Sequence, residues 1–94
     1  MSKSIISNER KCLVCGTPLG LHKHHIYQAY ARRASERWGC WCYLCGRHHN
    51  LSNEGVHFDK DLDMRLKRHC QRKLEDLGWK REEFISVFGK NYLD

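Results

Sequence analysis

Apolar positions are scattered in the first half of this 94-residue chain and become periodic in the second. Leu62, Leu66, Cys70, Leu74 and Leu77 recur every three or four residues, the spacing that gathers side chains on one face of an α-helix. Asp59 stands where its carboxylate can cap that helix, and Gly78 stands where it should end. Phe84, Ile85, Val87 and Phe88 predict a second, short helix over residues 81–88, with Tyr92 and Leu93 packing after it. Upstream, residues 21–26 read as a short strand. Residues 40–45, rich in aromatic and small apolar side chains, read as another. Two such segments can pair as an antiparallel hairpin. Residues 27–38 between them fit either a short helix or a compact loop, because their periodicity does not separate the two. Residues 47–54 read as a short helix closed by Gly55, and residues 1–10, polar and unpatterned, as a loose tail.

These elements predict one α+β domain over residues 1–94: the tail, a core over 11–58, and a helical extension over 59–94. A chain of this length buries only part of its surface and builds a small core. No apolar run reaches the roughly 20 residues of a membrane span, and the opening MSKSIISNERK has no apolar signal region. Six cysteines are therefore expected to hold metal in a reducing, cytoplasmic compartment rather than form disulfides.

The spacing of those cysteines sharpens the expectation. Cys12-x2-Cys15 is followed, after 29 intervening residues, by Cys45-x2-His48. Each x2 spacing lets one turn present two ligands, and four N/S ligands suit a tetrahedral structural zinc. Cys42-x2-Cys45 offers a rival set of four thiolates. His48 is preferred, because Cys42 lies in a strand-like run where it can pack as a small hydrophobe. Cys70 belongs to the apolar stripe, and Cys40 is assigned no metal role.

Beyond His48, six of the seven histidines remain to be placed. If the strands pair and the following helix packs on them, His24, His25 and His49 enter one small site. Adjacent His24 and His25 point to opposite faces of a strand, so both need partners. His22 fits a surface position or a supporting one equally, and His69, at the margin of the stripe, is expected to face solvent. A phosphodiester hydrolase needs this inventory: a neutral imidazole as general base and a divalent cation to stabilise charge on the phosphorus and the leaving oxygen.

The residues also carry a resemblance. His24-His25-Ile26 resembles the Asp/His-His-Ile strand of the HNH, or ββα-metal, endonucleases, and Leu44-Cys45-Gly46-Arg47-His48-His49-Asn50 resembles the segment that opens their helix. The whole arrangement is similar to small phage and prophage HNH-like proteins, including Gly55-Val56-His57 and the ending Phe88-Gly89-Lys90-Asn91-Tyr92-Leu93. The resemblance implies a zinc-stapled hairpin-and-helix unit around one catalytic metal. It makes His25 the general base and His24 and His49 metal ligands, with His57 or Asn53 as the third. One departure is Gly39-Cys40-Trp41-Cys42-Tyr43, which stands where the family's middle Asn is usual. Another is His24, which replaces the commoner Asp and makes the site softer, admitting Mn2+, Ni2+, Co2+ or Zn2+ as well as Mg2+.

Charge agrees with a polyanionic partner. Lys and Arg number 17 against 11 acids, a net charge of +6, and residues 10–48 alone hold seven basic residues and one acid. DNA is the expected partner, with Arg32, Arg33 and Arg37 as candidates for phosphate contacts. The expected activity is metal-dependent DNA cleavage, with a homodimer or a larger phage complex as the expected assembly. The rival expectation is a zinc-stabilised DNA-binding or adaptor module without chemistry.

Overall fold

The computed structural model describes residues 3–49 and 59–93. Two strands, β1 (Leu21–His25) and β2 (Trp41–Cys45), pair antiparallel, with Leu21 opposite Cys45, His24 opposite Cys42 and His25 opposite Trp41. Helix α1 (Arg32–Arg37) lies between them, entered through a single 3-10 turn at Ala29–Ala31. Residues 27–38 are thus a turn that runs into a short helix, the combination that blurred their periodicity. Helix α2 begins directly at the end of β2, at Gly46–His49, and packs on both strands. Helices α3 (Lys60–Asp76) and α4 (Arg81–Phe88) follow. The molecule is a small α+β fold built around a two-stranded hairpin.

The C-terminal helices form where the apolar stripe and the caps place them. The Asp59 carboxylate accepts from the N–H groups of Asp61 and Leu62 at 3.0 and 3.1 Å, satisfying two of the donors a helix start leaves free. Leu66, Cys70 and Leu74 are buried, with Leu62 partly so, whereas Leu77 sits past the last turn and is 68% exposed. Gln71, which no hydrophobic pattern marks, is fully buried. Its amide donates to Asn91 and Glu75 and accepts from the Tyr92 N–H, so it pins the C-terminal segment to α3. On α4, Phe84 and Phe88 face inward while Ile85 and Val87 stay largely exposed.

Tyr27 joins the two halves. Its ring lies 4.6 to 5.6 Å from those of Phe88, Phe84 and Tyr92, and its hydroxyl donates to the Lys67 carbonyl on α3 at 2.6 Å. Buried Ser35 on α1 holds the backbone beside it. The Ser35 hydroxyl donates to the Tyr27 carbonyl at 2.7 Å and accepts from the Tyr27 N–H at 3.1 Å. One serine thereby closes the turn that carries the chain out of β1.

The N-terminal segment, expected to be loose, is tied down over residues 4–6. Buried Ser4 donates its hydroxyl to the Trp41 carbonyl, and the Ile5 N–H donates to Gly39 at 2.9 Å. Ile5 and Ile6 then pack on the core. Gly39 makes this possible: it has φ of +73°, and a Cβ there would lie 2.2 Å from the Lys3 carbonyl oxygen. The anchoring rests on long-range hydrogen bonds, which leave no periodicity in a sequence. Replacing Ser35 by Ala leaves the buried Tyr27 N–H without its acceptor. It should lower stability by about 1–3 kcal/mol, read from the shift of a urea unfolding midpoint.

Candidate metal centre and histidine cavity

The first site is assembled at the Leu21–Cys45 end of the hairpin. Cys12 and Cys15 sit on a tight turn: the Gly16 N–H donates to the Cys12 carbonyl and the Cys12 N–H to the Thr17 carbonyl, both at 2.8 Å. The Leu13 N–H donates to the Tyr43 carbonyl at 2.9 Å, docking the turn against β2. Because β2 runs straight into α2, Cys45 and His48 stand one helical turn apart on the same side.

Cys12, Cys15, Cys45 and His48 are positioned to hold a metal ion, with their ligand atoms all within 4.8 Å of one another. The spacing tests the fit. Tetrahedral bonds of about 2.3 Å to sulfur and 2.0–2.1 Å to nitrogen put two sulfurs about 3.8 Å apart and a sulfur and a nitrogen about 3.6 Å apart. Cys15 Sγ and Cys45 Sγ are 3.8 Å apart, and His48 Nδ1 lies 3.7 Å from Cys12 Sγ and 3.3 Å from Cys45 Sγ. The four fit a tetrahedral ion with little movement. At Cys12, burial opposes ionisation, but the backbone donors around it outweigh burial and bring the thiol down to about 6. Cys15 is raised: the Thr17 backbone favours its thiolate, but burial and the neighbouring Cys12 and Cys45 sulfurs disfavour it more.

Cys42 stays apart from this group. It is fully buried opposite His24, and burial pushes its thiol up to about 12. Cys40 and Cys70 are also fully buried in the core, where contact with Cys40 followed by burial raises the Cys70 thiol far above its ordinary range.

The histidines gather on the same hairpin. His24 is buried to 1% exposure, and its ring lies 5.3 Å from that of His49 on α2. A cavity of about 310 Å³ is lined by His24, His25 and His49 together with Lys23, Gln28, Ala29 and Arg32. A second, broader cleft of about 530 Å³ is lined by His25, Ala29, Tyr30, Arg32, Arg33 and Glu36. His25, Ala29 and Arg32 form the wall the two share. His69 is exposed on α3, away from both.

Of the arginines expected to meet phosphate, Arg32 and Arg33 line these cavities, from a helix rather than a loop. Arg37 lines neither and stands 5.0 Å over the Trp38 ring. Asn53 and His57, the alternatives for a third catalytic ligand, lie outside the described residues.

Two contacts at the histidines were not read from the sequence. Glu36 accepts from Lys23 at 2.8 Å and lies 3.3 Å from His25 Nε2. The Lys23 hydrogen bond holds the Glu36 carboxyl below its usual range. For His25, burial lowers its basicity more than Glu36 raises it, so the ring is held below its ordinary value. The available signal was that Glu36 is the one acid among residues 10–48. The other contact is His22 Nδ1 to His49 Nδ1 at 2.9 Å, which puts His22 in the cluster rather than at an idle surface position. Its signal was the alternation of His22 with His24, which places both on one face of a strand.

Purified protein should carry about one tightly held metal ion per chain, measured by elemental analysis. Cys12→Ala and Cys45→Ala should each lose it, while Cys42→Ala retains it; loss in Cys42→Ala would restore the four-thiolate assignment. The chain matches no protein-family model, no curated protein and no solved structure, so its function is argued from the residues of these two sites.

Proposed function

We propose that this chain is a metal-dependent DNA endonuclease of the HNH, ββα-metal type, whose structural zinc is held by Cys12, Cys15, Cys45 and His48. The observation that carries the reading is the placement of His24, His25 and His49 around one cavity whose wall also carries Arg32. An inert zinc-stapled binder needs the cysteine-rich group, but it has no use for a second concentration of imidazoles beside an arginine.

Under this reading the histidines and Arg32 of the cavity divide the work. His24 and His49, with His57 or Asn53, hold a divalent cation, which supplies positive charge to the phosphate and the leaving oxygen when bound. His22 supports that arrangement. If the His49 Nδ1–H is donated to His22, the ring is fixed in the tautomer that leaves Nε2 as its ligand atom, the usual arrangement of metal-binding histidines.

His25 is the general base. Burial favours its neutral imidazole, the state that can accept a proton from water. Donation of its Nε2–H to Glu36 leaves Nδ1 as the basic nitrogen. Glu36 also stabilises the imidazolium that forms when the proton arrives, as the carboxylate partner of a catalytic histidine does elsewhere. Lys23 keeps that carboxylate ionised. Arg32, on the shared wall, can hold the phosphodiester while Arg33 contacts its neighbour along the strand.

The test is cleavage of supercoiled plasmid with added Mg2+, Mn2+, Ni2+ or Co2+. Wild-type protein should nick it, and His25→Ala should lose about a hundredfold or more of the rate with zinc content unchanged. Glu36→Gln should lower kcat about tenfold or more with KM for DNA little changed, because the carboxamide can no longer favour one tautomer. Wild-type protein that cuts with none of these metals yet binds DNA would instead be a zinc-stabilised DNA-binding or adaptor module.

A further inference from the structure

Tyr27 and Tyr30 lie three residues apart and have opposite fates. Tyr27 is buried in the core, and Tyr30 is 78% exposed on the rim of the broader cleft, beside Arg32 and Arg33. The tip of the exposed ring packs against the end of α4. Its hydroxyl lies 3.4 Å from the Phe88 carbonyl at the end of α4. The hydroxyl also occupies the space a side chain at residue 89 would fill: a Cβ on Gly89 would lie 1.6 Å from it.

The backbone before Tyr30 is set at some cost. Ala29 has φ of +55°, the one positive φ at a non-glycine position among the described residues, in a region a Cβ disfavours. Ala29 lines both cavities, and the strained turn directly precedes Tyr30 on the rim of the cleft. A solvent-facing aromatic ring next to two arginines, in a cleft that shares His25, Ala29 and Arg32 with the histidine cavity, has the make-up of a site for unpaired nucleic acid. There cations follow the phosphates and a ring stacks on a base.

We propose that the Tyr30 ring is a stacking platform for an unpaired DNA base, with Arg32 and Arg33 on the phosphates beside it, so that the substrate presents single-stranded DNA next to the cut. A base paired within a duplex keeps both faces stacked on its neighbours and cannot lie on the ring. An unpaired base can lie there at a smaller unstacking cost and with no base pair to break. The proposal rests on the nuclease reading for the place of the cut, and not for the binding itself.

The experiment is fluorescence anisotropy of the zinc-loaded full chain, without added divalent metal, against a labelled single-stranded oligonucleotide and the same sequence as a blunt duplex. Tyr30 is exposed, so its variants should fold, and the variants isolate the ring. Tyr30→Ala should weaken single-strand binding about five- to a hundredfold and leave duplex binding unchanged. Tyr30→Phe should keep most of the single-strand affinity. Arg33→Ala should weaken both, since its partner is phosphate. Equal weakening of both DNAs by Tyr30→Ala, or no weakening of either, would overturn the proposal. The assay needs no cleavage, so a protein that cuts nothing but shows the Tyr30 effect refutes the nuclease reading alone. A protein that cuts DNA but lacks the effect refutes this proposal alone.

Discussion

The antiparallel pairing of Leu21–His25 with Trp41–Cys45 ties both candidate sites to one short ladder of hydrogen bonds. Its Leu21–Cys45 end carries the cysteine-rich group, through Cys45 and the helix that starts immediately after it. His22, His24 and His25 follow along β1 and meet His49 from that same helix. Because side chains alternate across a strand, a slip of one residue would exchange the faces of His24 and His25. His24 would leave the packed face it shares with Cys42, and His25 would lose Glu36. Neither site tolerates another register.

A two-stranded hairpin is marginal in water by itself, so the register needs outside support. It comes from three directions. The Cys12–Cys15 turn docks on β2 through Leu13 and Tyr43, the N-terminal segment binds the start of β2 through Ser4 and Ile5, and α3 and α4 close over Tyr27. A metal ion on the cysteine-rich group would clamp the turn, the end of β2 and α2 together, the kind of support small domains with limited cores draw on. The histidine cluster is left free of that duty. It can afford partly open walls, an arginine and a strained alanine, which a core could not accommodate.

Much of this was legible in the chain itself. The two x2 spacings announced the four-residue metal group, since each is a local property of one turn. The apolar stripe and Asp59 announced α3, and Phe84, Ile85, Val87 and Phe88 announced α4. The limits have equally specific causes. Residues 27–38 mix a 3-10 turn with a helix, so no single period describes them. Leu77 fits the stripe by spacing but falls beyond the last turn, where the stripe has nothing left to cover. Gln71, Ser4, Glu36 and His22 owe their roles to partners far away in sequence, and hydrogen-bond partners across a fold leave no local pattern. Tyr30 resembles Tyr27 in sequence and differs only in which side of the turn it occupies.

The division of labour between the cysteine-rich group and the histidine cluster is the central claim, and locating metal ions in crystals by anomalous scattering tests it most directly. Crystals grown without added metal should show one strong peak between Cys12 Sγ, Cys15 Sγ, Cys45 Sγ and His48 Nδ1. Crystals soaked in Mn2+ or Ni2+ should show a second peak beside His24 and His49. A peak that includes Cys42 in place of His48, or soaked crystals that never gain the second peak, would contradict the account.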